Sequence, residues 1–455
     1  MYFDITVNNG KSTHKSHIKE IQGFLNRHDA FNNYQTGQSM SDFQKIYDAP
    51  FERISYANTV RSFAYAIGAL NGFLINMANK QIIIMVYFVV IGLTQMLVTY
   101  LKYVPVLYLD YAINGFVSGA LELITNVWTI EMWAEECGPY VQAVHFGGGV
   151  AAIITPQIFA PFITGPGSTH ESRINIPYLA LGAASIGFGI FMGITYFFQK
   201  YVPRKVYSNF RVDVTEGKYT QKFREWNSVF VAELWPSLPK HFIIVLCGFM
   251  VSIALTIQWS QFTYIVSYAE KSSLQLNTKT AGYMNTAIAA SLLASRAFMI
   301  GFAKLSFVTP KRINFVCYVL LLAAEILYLI FTDINVIGVW VADCIYGIGL
   351  GPVMAGAFQL AEECCPLTDL MGVLFIFMGG LTTSFTPLIL ASTMDVNPQT
   401  LNYVNIFFIG SAIILVLVIY GVGRRFVRPK EVDKTDVNRN SIVLEVITST
   451  AGSRL

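Results

Sequence analysis

Apolar residues in this chain gather into runs of about 20 separated by short polar breaks, not into one-sided periodic faces, and a helix of that length spans the hydrocarbon layer of a bilayer. The pattern predicts eleven such helices, over 54–77, 82–101, 104–132, 141–163, 177–199, 241–265, 281–303, 313–331, 336–360, 371–394 and 403–423. The fold class expected is therefore an all-α, multi-pass membrane protein. Composition strengthens this: of 455 residues 54% are hydrophobic and only 13% are Asp, Glu, Lys or Arg, about half the usual charged share. The first 50 residues show no apolar core between a basic start and a small-residue cleavage site, so no conventional signal peptide is expected.

Charge then orients the spans. The longest polar interruption carries Lys200, Arg204, Lys205, Arg211, Lys218, Lys222, Arg224 and Lys240 against Asp213, Glu216, Glu225 and Glu233. Lys304, Lys311 and Arg312, and the start of the C-terminal tail at Arg424, Arg425, Arg428 and Lys430, fall on the same side. By the positive-inside rule that side is cytoplasmic. The division expected is a polar N-terminal tail over 1–50, a first bundle over 51–199, a basic cytoplasmic central loop over 200–240, a second bundle over 241–425 and a cytoplasmic tail over 426–455. The net charge of +3 is accounted for by these basic segments and calls for no nucleic-acid partner.

An internal repeat is the most informative feature. AEECGP at 134–139 returns as AEECCP at 361–366, each followed by a span carrying a Thr-Pro step, Thr155-Pro156 and Thr386-Pro387. Arg61-Ser-Phe63 likewise returns as Arg296-Ala-Phe298. Three landmarks in one order imply two homologous bundles joined by the basic loop, the build of alternating-access carriers with parallel repeats. The repeat also exposes a gap. The span at 241–265 requires a partner near residues 6–30, which hold no apolar run, so the first helix of the first bundle is expected to be missing. A truncated isoform, a faulty gene model and a genuine eleven-span protein all fit that gap.

Polar residues inside the spans are the candidates for chemistry. In the third predicted span Asp110, Asn114, Ser118, Glu122 and Asn126 recur every four residues and make one polar stripe, with Gly115 and Gly119 at the spacing that lets helices approach closely. A carboxylate in mid-membrane faces a bundle interior, a wet cavity or a positive partner, so Glu122 is expected to couple an ion and Asn126 to contact substrate. The matching span carries Asp343, Gly347, Gly351, Ala355 and Gln359, giving Asp343 the coupling role and Gln359 the substrate role. Gln258, Trp259 and Gln261, with Asn285 on the next span, suit a sugar: amides donate and accept at once, and an indole offers a flat face to the apolar ring hydrogens. Gln142 is a further amide candidate, and His145, one turn on, a candidate proton relay. Arg61 and Arg296 occupy equivalent places and suit a conformational latch; Glu135, Glu136, Glu362 and Glu363 at span ends suit gating by ion pairs with the basic loops. Glu325 lies inside a span and is left without a role.

No nucleophile elbow, HExxH or phosphate loop occurs, and the six cysteines show no metal-ligand spacing; reduced thiols, no enzyme, no metal and no cofactor are expected.

The block Trp133-Ala-Glu135-Glu136-Cys137-Gly138-Pro139-Tyr140-Val141-Gln142-Ala143-Val144-His145-Phe146, preceded by Asn126-Val127-Trp128, is similar to the pattern of the major facilitator superfamily in the branch of sodium-dependent glucose transporter 1 and its orphan relatives. The resemblance runs from about residue 42 to 426. Glu122 followed by Asn126 resembles, more distantly, the same pair in bacterial fucose permease, where the carboxylate belongs to the coupling and sugar site. The resemblance implies two pseudo-symmetric helix bundles, a glucose-like sugar as substrate, the lipid bilayer as surroundings and the plasma membrane as location. Gln258 stands where relatives carry Glu, and Asn76 to Lys80 reads NMANK where an acid is common, so Na+ coupling, H+ coupling and facilitated diffusion all remain open. The rival expectation, prompted by the missing helix, is a truncated, non-transporting scaffold or sugar sensor. The sequence leaves the oligomeric state undetermined.

Overall fold

The computed structural model describes residues 34–71, 78–133, 137–165, 171–198, 200, 238–302, 310–364 and 369–426. It is all helical among these residues. Twelve helices run in order: α1 over 34–46, α2 Phe51–Ala69, α3 Lys80–Leu97, α4 Val104–Trp133, α5 Cys137–Phe159, α6 Asn175–Phe198, α7 Leu238–Lys271, α8 Thr278–Phe302, α9 Pro310–Phe331, α10 Val336–Cys364, α11 Asp369–Thr393 and α12 Thr400–Phe426. Asparagines set several of the starts: the Asn79, Asn277, Asn335 and Asn397 side chains accept from backbone N–H groups two or three residues on, satisfying donors that the first helical turn leaves open.

Helix pairing repeats between the halves. Within the first half α2 lies on α4 and α3 on α6; within the second α8 lies on α10 and α9 on α12. The halves meet where α2 faces α11 and, by the same symmetry, α8 faces α5. Glycines set the closest approaches: a Cβ on Gly115 or Gly119 of α4 would lie 2.1 Å from the Arg61 or Tyr65 carbonyl oxygen of α2. On α10, a Cβ on Gly347 would lie 2.3 Å from the Ile288 carbonyl of α8, and one on Gly351 would lie 2.7 Å from that of Leu292. The small-residue spacing thus does the same work in both halves. Pro156 in α5 and Pro387 in α11 stand at the repeated Thr-Pro steps. Large apolar side chains such as Phe197 and Phe198 at the end of α6 point outward, as a hydrocarbon solvent requires.

The expectation of a missing first helix is corrected by α1. Its sequence, Tyr34 through Ile46, is rich in Gln, Ser and Thr and would not be stable against lipid, which is why hydropathy passes over it. It is stable here because protein surrounds it. Ser39 accepts from the Tyr178 hydroxyl at 3.2 Å, Phe43 lies 5.6 Å from the Tyr178 ring, and Gly37 brings α1 so close to α7 that a Cβ there would sit 2.7 Å from the Phe262 carbonyl oxygen. Among the described residues the halves therefore have six helices each, and the other eleven overlap the predicted apolar runs, although α2 ends at Ala69 and not near residue 77. Among the described residues eight helices are long and apolar enough to cross a membrane, and α1, α2, α5 and α8 are outside that set. All four line the contact between halves, where protein replaces lipid.

Candidate functional site

The site is built on the seam between the halves. Arg61 and Tyr65, four residues apart on α2, project on one face. Arg61 is buried; its Nε donates to Asn114 Oδ1 of α4 at 3.1 Å, and its guanidinium stands 5.3 Å from the centre of the Trp259 ring of α7. The Tyr65 ring lies 6.5 Å from the same indole, and its hydroxyl donates to the Glu122 carboxyl of α4. Arg61, Ser62 and Tyr65 of α2, Leu255 and Trp259 of α7, and Gly379, Gly380 and Thr383 of α11 line a pocket between the halves, with Glu122 behind Tyr65. From α1, the Tyr34 ring meets Phe262 edge-on at 4.8 Å, and its hydroxyl accepts from Gln258 Nε2 at 3.4 Å. That hydroxyl is within electrostatic reach of both Glu122 and Arg296. Arg296 donates from Nε to the Gly351 carbonyl at 2.9 Å, so each arginine is held by the helix packed beside it, α4 in one half and α10 in the other.

The structure gathers Arg61, Arg296, Glu122, Gln258 and Trp259 around this seam, and it separates others. Gln261 turns away: its Nε2 donates to the Tyr328 hydroxyl at 3.3 Å, and its Oε1 accepts from Asn405 at 2.9 Å, inside the second bundle. At 100° per residue it points nearly opposite to Trp259, so the two cannot share a ligand. Asp343 is fully buried in the same internal network and accepts from the Tyr328 hydroxyl at 2.5 Å, away from the seam. Gln359 is exposed. Asn126 is half-buried one turn past Glu122, and Asn285 is buried, donating to the Phe262 carbonyl at 3.1 Å. The upper part of the polar stripe is structural rather than wet. Asp110, Asn114 and Ser118 are buried, and Asn114 joins Arg61 to Thr94 Oγ1, the latter at 3.0 Å. Glu135 and Glu136, and the side chains of Gln142, His145, Glu362 and Glu363, lie outside the described residues. Cys247, Cys317 and Cys344 are free thiols.

Sequence reading passed over Tyr34, with the whole of α1, and Tyr65. A signal for Tyr65 existed: it follows Arg61 by one turn on the face that carries the repeat. Tyr34 carried none, since its helix lacks an apolar run.

One end of the seam, where the α1–α2, α5–α6 and α7–α8 turns meet, is closed. Glu270 of α7 accepts from Ser41 of α1 at 2.6 Å and from Thr278 of α8 at 2.5 Å. Asp42 and Lys45 hold Thr164, through contacts of 2.6 and 3.2 Å, and Lys45 also reaches the Gly165 carbonyl at 2.5 Å. Gly165, at φ 71°, lies against Thr278 across the seam. Lys271 pairs with Asp395 and stands 3.0 Å above the Phe51 ring of the other half. The Ser55 and Tyr264 hydroxyls close the next layer at 2.7 Å.

A family model described as Major Facilitator Superfamily matches residues 30–387, beginning just before α1 and covering most of both bundles. The chain belongs to this superfamily. Within it, the chain is similar to major facilitator superfamily domain-containing protein 4A of Xenopus tropicalis, 22% identical over 28% of this chain and 26% of that one. It is also similar to sodium-dependent glucose transporter 1 of Homo sapiens, 24% identical over 30% of this chain and 26% of that one. The similarity thus spans about a quarter of each relative's length. Among solved structures, the D-xylose-proton symporter superposes with a TM-score of 0.65 at 13% identity, covering 89% of this chain and 96% of that one. A peptide transporter, POT, in complex with sulfate gives 0.66 at 11%, covering 90% and 94%. The chain is a multi-pass helical member of the superfamily, and its fold is shared by solved structures named as carriers of unlike substrates.

Proposed function

We propose that this superfamily member carries a neutral hexose-type sugar, glucose-like, across the plasma membrane by alternating access, the two bundles rocking about the seam. The observation that carries the reading is the straddling site: the flat face of Trp259 comes from one half, Arg61 and the Tyr65–Glu122 pair from the other, so binding bears on the equilibrium between the two access states. An indole against sugar ring hydrogens, with Gln258, Tyr34 and Asn126 for hydroxyls, is the chemistry such a substrate needs. The sodium-dependent glucose transporter and the D-xylose-proton symporter among the similar proteins favour the same class. Glu122 is the coupling group, with Na+ or H+ as the ion, and Arg61 and Arg296 are latches that tie the seam to α4 and α10. With the basic loops cytoplasmic, the closed end faces outward. The scaffold or sensor reading lost its motive when α1 filled the gap in the repeat.

Uptake of labelled D-glucose into liposomes containing the full chain, with and without a Na+ or proton gradient, tests this. Uptake above protein-free liposomes is expected, with gradient stimulation lost in Glu122→Gln while exchange at equal concentrations persists. No uptake over the blank overturns the substrate class, and unchanged stimulation in Glu122→Gln overturns the coupling role.

A further inference from the structure

Where α1 crosses α7 and α8, one turn beyond the central pocket toward the closed end, two buried amides have hydrogen-bonding atoms that nothing satisfies. Gln38 is 1% exposed, and neither its Oε1 nor its Nε2 has a partner. Asn285 is 2% exposed; its Nδ2 reaches the Phe262 carbonyl, but its Oδ1 has no partner. The two share one place. The Gln38 amide rests on Gly282 of α8, where a Cβ would lie 2.5 Å from Oε1, and Gly282 is one turn before Asn285 on the same face. Phe262, whose carbonyl takes the Asn285 proton, is also the residue under Gly37 at the α1 crossing.

A buried amide without partners is destabilising relative to an apolar side chain of the same shape. The surroundings would accept such a side chain, since Ile288, one turn past Asn285 on the same face of α8, is a fully buried apolar residue. Two amides kept at one crossing, on helices that must part for the closed end to open, point to a partner present only in another state. The chemistry of that partner follows from the donors. Gln38 offers one donor and one acceptor group and Asn285 an acceptor, a set matched to hydroxyls; the nearest acid along α1, Asp42, is engaged with Thr164. The position follows too, because the bonded pair Tyr34 and Gln258, next to the pocket residue Trp259, lie one turn before Gln38 and Phe262 respectively.

We propose that Gln38 and Asn285 form a second station for the substrate, between the central pocket and the closed end, where they bind adjacent hydroxyls of a neutral polyhydroxylated molecule once α1 separates from α8. This rests on the sugar reading of the central site. The test uses the full chain in detergent and in liposomes with D-glucose as probe. Gln38→Met is near-isosteric, so it is expected to melt at or above the wild-type temperature without sugar, while its KM for uptake rises about tenfold or more; Asn285→Leu is expected to raise KM in the same direction. A wild type with no glucose uptake defeats the underlying sugar reading. A wild type that transports, with KM unchanged in Gln38→Met and Asn285→Leu, overturns the station itself. So does a Gln38→Met protein that melts several degrees lower, since that shows the amide satisfied in the resting state.

Discussion

Trp259 and Gln261 stand two positions apart on α7 in what reads as a single sugar-binding cluster, yet one faces the seam and the other the interior of the second bundle. Residue type marked both as candidate sugar contacts; direction around the helix was settled by which neighbours each could reach. Trp259→Ala is expected to raise the KM for sugar about tenfold, equivalent to about 1.4 kcal/mol, with little change in melting temperature. Gln261→Ala is expected to do the reverse: KM holds, and stability falls by about 1–3 kcal/mol, because Asn405 and Tyr328 lose the amide between them. Uptake kinetics and thermal unfolding of the two variants check this. That Glu122 would need a partner was legible beforehand, since an acid in an apolar run demands one; that the partner is the Tyr65 hydroxyl was not.

At the scale of elements, apolar runs located eleven helices because lipid forces every outward face to be apolar, and they passed over α1 because that argument lapses where protein replaces lipid on all sides. The glycine spacing on α4 and α10 was legible, and its meaning was made specific by contacts. A Cβ at Gly119 would lie 2.1 Å from the Tyr65 carbonyl, and one at Gly347 would lie 2.3 Å from the Ile288 carbonyl, so neither helix pair can close around an added methyl without backbone shift. Gly119→Ala and Gly347→Ala are each expected to destabilise by about 1–3 kcal/mol, the usual penalty for overpacking, read as lower unfolding temperature in detergent. Gly187 and Gly410, with open space where a Cβ would go, are the controls and should tolerate Ala.

For the whole molecule, the closed end is a bridge of short polar contacts between halves, and transport requires it to open. Gly165 and Thr278 give a way to hold it shut: a Cβ on Gly165 would lie 3.5 Å from the Thr278 Cβ, within the range a disulfide spans. Gly165→Cys with Thr278→Cys is expected to abolish uptake under oxidising conditions and to recover it with reductant, while Thr278→Cys alone transports under both. Unchanged uptake in the oxidised, cross-linked pair would show that this end stays closed throughout the cycle. The sequence by itself determined the membrane class, the two-fold repeat, the approximate location of eleven helices and the presence of an acid within one of them, because each of these is enforced residue by residue through the exclusion of polar groups from hydrocarbon or through copied motifs. Only tertiary structure decided that a polar segment is the first helix, which amides face the seam, which join the interior network, and which end is closed. Those depend on what lies beside each side chain in space, and a polar group is stable in a membrane protein wherever another part of the chain, distant in sequence, supplies its partner.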